Sequence, residues 1–217
     1  MKQELYIFSG LGADERVFQR LDFSGFSVTY IRWITPHSGE TIEQYSTRLL
    51  EQITSMKPIL IGLSFGGLIA IEVAKHIDTE QVILIASAKS KTEIPFYYRV
   101  AGLFGLHKLL PLAFLKHSNI LTQWFFGARN MFDRQLLQQI LKDTEPIFLK
   151  WAIDKVVRWT NRPVGKNVFH IHGTSDRILP VMFVSCNVRI KNGGHFMTLT
   201  HADELNLILL QQLSRKE

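Results

Sequence analysis

Cysteine is almost absent: Cys186 stands alone in 217 residues. No intramolecular disulfide can form, so packing must hold the fold, and the composition fits a reducing compartment. Long apolar runs are missing too. The longest, residues 58–71, is shorter than a bilayer span and is broken by Gly62, Ser64, Gly66 and Gly67. The opening residues Met1-Lys2-Gln3-Glu4-Leu5 lack the apolar stretch of a secretory signal. The expectation is a soluble cytoplasmic chain with no stable membrane insertion. No internal repeat or low-complexity tract is visible. With 46% hydrophobic and 20% charged residues, general disorder is excluded. The length suits one domain, or one core domain carrying an insertion.

Acidic residues are scarce in one place. Residues 89–166 hold 13 Lys and Arg against 5 Asp and Glu, while the rest of the chain holds 12 against 14. The net charge of +6 therefore belongs to this middle segment, which also carries 12 of the 24 Phe, Trp and Tyr residues. A solvated helical surface over an aromatic underside is the simplest account. The sharper alternative is a substrate that is anionic or presented at an acidic surface, such as a thioester on an anionic carrier. Nucleic acid is suggested only by the pI of 9.5. No groove-reading motif accompanies it, so no nucleic-acid partner is expected.

Short apolar runs alternate with helical patterns. Strands are predicted at 5–8, 27–33, 59–61, 81–86, 168–172 and 187–191. Helices are predicted at 14–21, behind a Thr41/Gln44 capping box as far as Met56, at 68–76 and at 202–213. Strands that are apolar throughout and separated by helices predict an α/β fold. Its sheet is six-stranded and mostly parallel, with helices on both faces. Residues 89–166 are long for a crossover and show helical periodicity at Leu136, Leu137, Ile140 and Leu141, and again at Phe148, Trp151, Ala152 and Lys155. This divides the chain into a core, 1–88 and 167–217, and an inserted helical segment, 89–166.

Gly62-Leu63-Ser64-Phe65-Gly66 has the form Gly-x-Ser-x-Gly. By composition alone that pattern arises in about one chain of this length in fifteen, so its setting must decide. Here it lies between an apolar strand and a buried helix, the strand–turn–helix context of a nucleophile elbow. A serine hydroxyl needs a base, and the base needs an orienting acid. In this strand–turn–helix setting the order is serine, acid, histidine, each just beyond a strand. Asp176 follows the fifth strand, in His172-Gly173-Thr174-Ser175-Asp176. After it only two of the eight histidines remain, His195 and His201. His195 sits directly beyond the sixth strand in Gly193-Gly194-His195, whereas His201 opens the last helix, so His195 is the choice. Glu93 is the rival acid. His170 and His172 share one strand face but lack a carboxylate or cysteine cluster, so core packing is favoured over a metal site.

The elbow, His172-Gly173-Thr174-Ser175-Asp176-Arg177-Ile178-Leu179-Pro180 and Gly193-Gly194-His195-Phe196 together resemble the α/β-hydrolase superfamily, in particular its lid-bearing, esterase-like members. The resemblance covers nearly the whole chain and is specific to the superfamily, not to a substrate. It implies Ser64, His195 and Asp176 as a catalytic triad and an oxyanion hole made by the N–H groups of Phe65 and Leu11. It implies 89–166 as a lid. Many relatives carry His-Gly where this chain has Ser9-Gly10, which predicts different bracing of that loop. The first predicted strand matches the third of such relatives, so six strands are expected where relatives have eight, without the usual amino-terminal hairpin. The expected activity is ester hydrolysis through an acyl-enzyme, with no cofactor or metal, by a monomer. Thioester, amide or C–C bond hydrolysis on the same triad is the alternative, and a non-catalytic ligand-binding protein of the same fold is a further one. Phe96, Tyr97, Tyr98, Phe104, Phe114, Trp124, Phe125 and Phe126 are expected to line or support the lid, more of them in core than in pocket. Such aromatics favour a substrate with an apolar portion.

Overall fold

Six strands form one sheet: β1 (Glu4–Phe8), β2 (Ser27–Tyr30), β3 (Ile59–Leu63), β4 (Gln81–Ile85), β5 (Val168–Gly173) and β6 (Val188–Ile190). Their order is β2-β1-β3-β4-β5-β6 and every neighbouring pair is parallel, so the sheet is parallel throughout. The computed structural model describes residues 2–109, 111, 116, 119–162, 165 and 167–214. Phe114 and Lys166, the end of the expected insertion, lie outside these.

Eight helices accompany the sheet among the described residues. They are α1 (Ile42–Leu49), α2 (Phe65–Val73), α3 (Phe96–Leu103), α4 (Ile120–Phe126), α5 (Met131–Asp143), α6 (Pro146–Arg158), α7 (Met197–Thr200) and α8 (Ala202–Leu213). Successive strand residues point to opposite faces. Leu5, Ile7, Ile59, Ile61, Ile83, Ile85 and Ile171 therefore join a core with Leu136, Leu137 and Ile140 of α5, Met197 of α7 and Leu205 and Leu209 of α8. Tyr6, Phe8, Leu60, Val82 and Leu84 join a second core with α1, α2 and Phe148 and Ala152 of α6. The segment between β4 and β5 thus contributes one helix to each face. Its α3 and α4 touch the cores only through partly buried residues, Tyr98 on the second and Phe126 on the first.

Some predicted boundaries move, for identifiable reasons. The helix expected to reach Met56 ends at Leu49 with a single 3₁₀ turn to Gln52. Gln52 bonds the Arg32 backbone through both ends of its amide, and the Tyr6 hydroxyl accepts the N–H groups of Thr54 and Ser55. These bonds draw the chain out of the helix, and Met56 is left 93% exposed. The helix expected at 14–21 is a 3₁₀ turn, Glu15–Phe18, capped by Asp14. The Thr41/Gln44 capping box forms as predicted, at 3.2 and 3.0 Å.

Helix α2 is buried on all sides, and Glu72 is its one charged residue. Trp159 Nε1 donates to Glu72 Oε1 at 2.8 Å and Lys75 Nζ lies 2.7 Å from Oε2. Trp159→Phe removes one of these bonds and leaves a buried carboxylate oxygen short of a donor. The expected loss is about 1–3 kcal/mol, read as a lower urea midpoint with unchanged slope.

Two histidines sit wholly buried in β5. His172 Nε2 donates to the Leu179 carbonyl at 2.8 Å, which leaves Nδ1 to face His170 Nε2 at 3.3 Å. Burial, helped by His172, pushes the His170 imidazole from 6.5 down to about 3. Burial lowers His172 as well. Between those values the unfolded chain binds a proton that the folded chain refuses. Stability should fall as pH drops from about 6.5 toward 3, by up to about 1.4 kcal/mol per pH unit for one such group. Thermal melts of wild type and His170→Gln across that window check this, and the variant should show the shallower slope.

Candidate active site

Strand β3 passes into α2 across one residue. Ser64 adopts φ 52° and ψ −120°, a left-handed backbone costing about 1–3 kcal/mol for a residue with a Cβ. Contacts on every side hold it there. Ser64 N–H donates to the Ile85 carbonyl at 2.9 Å, Gly67 N–H donates to the Ser64 carbonyl at 2.9 Å, and Ser87 Oγ donates to the same carbonyl at 2.6 Å. Positions 62 and 66 have room only for glycine. A Cβ on Gly66 would collide with the carbonyls of Phe8 and Ser9, and one on Gly62 with the Gly66–Gly67 backbone.

Asp176 and His195 come from the turns after β5 and β6. These two turns are stitched together: Thr174 N–H donates to Ile190 O at 2.9 Å, Ser175 N–H to Gly193 O at 2.8 Å and Asn192 N–H to Thr174 Oγ1 at 2.8 Å. Gly173 lies so close to Gly193 that a Cβ would strike its carbonyl. The structure brings the three side chains into one line. His195 Nδ1 is 2.8 Å from Asp176 Oδ2, and His195 Nε2 is 2.7 Å from Ser64 Oγ.

Asp176 is buried, and its Oδ1 accepts the N–H groups of Ile178 and Leu179, both at 2.9 Å. Burial alone would raise its pKa. The electrostatics and hydrogen bond of the neighbouring His195 ring, with His172 and the Leu179 N–H, outweigh that and hold the carboxyl below its usual range. An ionised carboxylate only accepts. His195 therefore carries its proton on Nδ1, and Nε2 presents a lone pair to the Ser64 hydroxyl. Such a chain can pull a proton from a serine as the oxygen attacks.

Phe65 is the first residue of α2, and its N–H is among those that find no acceptor inside a helix. Leu11 lies in the loop after β1. A Cβ on Gly10 would stand 3.7 Å from that of Ser64, so this loop rests against the serine. Ser9 Oγ donates to Ala13 O at 2.6 Å, and Trp33 Nε1 reaches Ala13 O at 3.1 Å and Gly10 O at 3.3 Å. Trp33 and Ser87 are support residues that sequence reasoning missed. Trp33 carries no local signal, whereas Ser87 could have been suspected from its place just beyond β4.

The other candidates sit elsewhere. Glu93 Oε1 and Oε2 accept from the backbones of Ser185 and Lys89, and Glu93 makes no bond to His195. His201 Nδ1 pairs with Thr200 Oγ1. Of the expected lid aromatics, Phe126 packs on His195, its ring 5.8 Å from the imidazole. Phe96, Tyr97, Phe104, Trp124 and Phe125 are exposed, so few of the expected aromatics enter the core; Tyr98 and Phe126 pack against it. The physical reason is that α3 packs mainly on α6, with Gly102 against the Val157 backbone, so most of its surface has no second layer to meet.

Among the described residues no helix is long and apolar enough to cross a membrane, and no three His, Cys, Asp or Glu side chains cluster as metal ligands.

No curated protein matches the sequence. Solved structures do match the fold. A bromoperoxidase from Bacillus anthracis shares 21% identity at a TM-score of 0.69, over 99% of this chain and 93% of that one. The enol-lactonase from Burkholderia xenovorans LB400 shares 16% at 0.69, over 99% and 92%. The 2-hydroxy-6-oxo-6-phenylhexa-2,4-dienoate hydrolase from Rhodococcus sp. strain RHA1 shares 15% at 0.69, over 99% and 91%. At these identities the likeness is one of fold. The sequence model of the alpha/beta hydrolase family, however, matches residues 8–206. With that match spanning nearly all of the parallel sheet and its helices, the chain belongs to the alpha/beta hydrolase family.

Proposed function

We propose that the chain hydrolyses a carboxylic ester through an acyl-enzyme on Ser64. The observation that carries this reading is the unbroken chain from Asp176 through His195 to Ser64, at 2.8 and 2.7 Å. His195 Nε2 takes the serine proton as Oγ attacks the ester carbonyl. The N–H groups of Phe65 and Leu11 hold the oxyanion, and the amino terminus of α2 favours the same charge. Asp176 stabilises the imidazolium without itself taking the proton. His195 then protonates the leaving alcohol. A water, deprotonated by the same imidazole, attacks the acyl-enzyme and releases the acid.

Residues 89–166 are the proposed lid. Phe126, against His195, would face the substrate at the reacting centre, and the exposed Phe96 and Phe125 would meet an apolar acyl or alcohol part. Thioester or C–C bond hydrolysis on the same three residues is the second reading. One structural neighbour is named as a lactonase, and another as hydrolase of a dienoate.

Labelling by a fluorophosphonate, read by intact mass and peptide mapping, should modify Ser64. Short and medium p-nitrophenyl esters should be turned over. Ser64→Ala should abolish labelling and lower kcat by about 10⁴-fold or more. Unchanged turnover in that variant would overturn the assignment. Asp176→Asn keeps the shape but favours the wrong tautomer of His195, so kcat should fall by about 10⁴-fold with little change in KM.

A further inference from the structure

A cavity of about 570 Å³ opens where the inserted segment meets the core. Ile120 and Trp124 of α4, Arg129 and Arg134 form one wall. Ser175, Arg177, Asn192 and Gly194, from the turns that carry Asp176 and His195, form the other. Neither Ser64 nor Phe65 lines it. It therefore lies beside the candidate triad, behind the acid and histidine turns.

Its charge is one-sided. Three arginines line it and no carboxylate does. Among the described residues, none of the three pairs with an acid, although Arg16, Arg20, Arg48 and Arg158 all do. Two of them are nevertheless held in place. Arg177 Nη1 donates to the Trp124 carbonyl at 2.7 Å while its guanidinium stacks 4.2 Å over the Trp124 ring. Arg129 Nη2 donates to the Asn192 carbonyl at 2.8 Å. A neutral carbonyl fixes a guanidinium without cancelling its charge. Each keeps further N–H groups in the planar fork that suits an oxyanion. All three are exposed, so solvent screens their mutual repulsion, and what they give the hollow is a positive face that an anion entering it would meet.

We propose that this cavity binds the oxyanion group of a small molecule, a phosphate or a carboxylate, with Ile120 and Trp124 walling its apolar part. The bound anion would tie both walls together. Arg129, between α4 and α5, and Arg134, on α5, belong to the insertion, and Arg177 to the acid turn. Between them, α4 ends in Phe126 and Gly127, which pack on His195 and Gly194. The site would thus fasten the insertion onto the turns that carry Asp176 and His195. It does not depend on the proposed hydrolysis.

Thermal melts at constant ionic strength, set with sodium chloride, test this with inorganic phosphate, glycerol phosphate and succinate. At tenfold excess over its Kd, a bound anion should raise Tm by about 3 °C or more in wild type and equally in Ser64→Ala. Preference for the two phosphates or for succinate identifies which head group is taken. Arg134, which makes no side-chain bond among the described residues, can be changed without disturbing the fold. Arg134→Gln should weaken binding about tenfold, and adding Arg129→Gln about tenfold more. Hydrogen exchange on wild type should show slowing confined to 120–129, 174–177 and 192–194. No anion raising Tm beyond the chloride control, a shift that survives in the double variant, or protection elsewhere would each overturn the proposal.

Discussion

Because β3 gives way to α2 across the single residue Ser64, its backbone is driven to φ 52°. That strain lifts the hydroxyl clear of the sheet and leaves the N–H of Phe65 at a helix start with no internal acceptor. It survives because the neighbours leave no room to relax. Gly66 lies against the carbonyls of Phe8 and Ser9, Gly62 against the Gly66–Gly67 backbone, and Ser87 Oγ holds the Ser64 carbonyl. The same close approach carries the loop after β1 to the serine. The position of the proposed oxyanion donors thus follows from the packing that holds the strained residue.

The second arm of the site is built on a similar economy. Asp176 and His195 lie 19 residues apart, yet each needs only one turn to reach its place, because β5 and β6 are adjacent and parallel. Gly173 and Gly193 let the two turns touch backbone to backbone, and their hydrogen bonds make them move as one unit. A shift in either turn would lengthen the 2.8 Å contact between acid and imidazole. The insertion leans on this unit through Phe126, whose carbonyl accepts the Phe196 N–H at 3.0 Å. Its α5 and α6 are anchored in opposite cores, so the exposed α3 and α4 hang from a fixed frame.

Much of this was legible in the sequence. The strands showed because a doubly covered parallel sheet needs apolar residues on both faces, and Ile59-Leu60-Ile61 has no polar alternative. Ser64, Asp176 and His195 stood out because an activated serine restricts residue type and the family resemblance restricts chain order. The end of α1 was hidden. Its apolar spacing continues to Met56, but the bonds that end it come from Tyr6 and Arg32, distant in sequence. The exposure of Phe96, Tyr97 and Phe104 was hidden for a related reason. Helical spacing says which residues share a face and not whether another layer covers it.

By itself, then, the sequence determined the class of fold, the serine turn and the types of residue able to act with it, since each rests on local backbone chemistry or on residue type. Only the tertiary structure decided the alignment of the three side chains, the use of Trp33 to brace the loop at Gly10, and the meeting of Arg129, Arg134 and Arg177 in one hollow. Those depend on contacts between residues far apart in the chain. Such contacts exist only after the sheet has set the strands in their order.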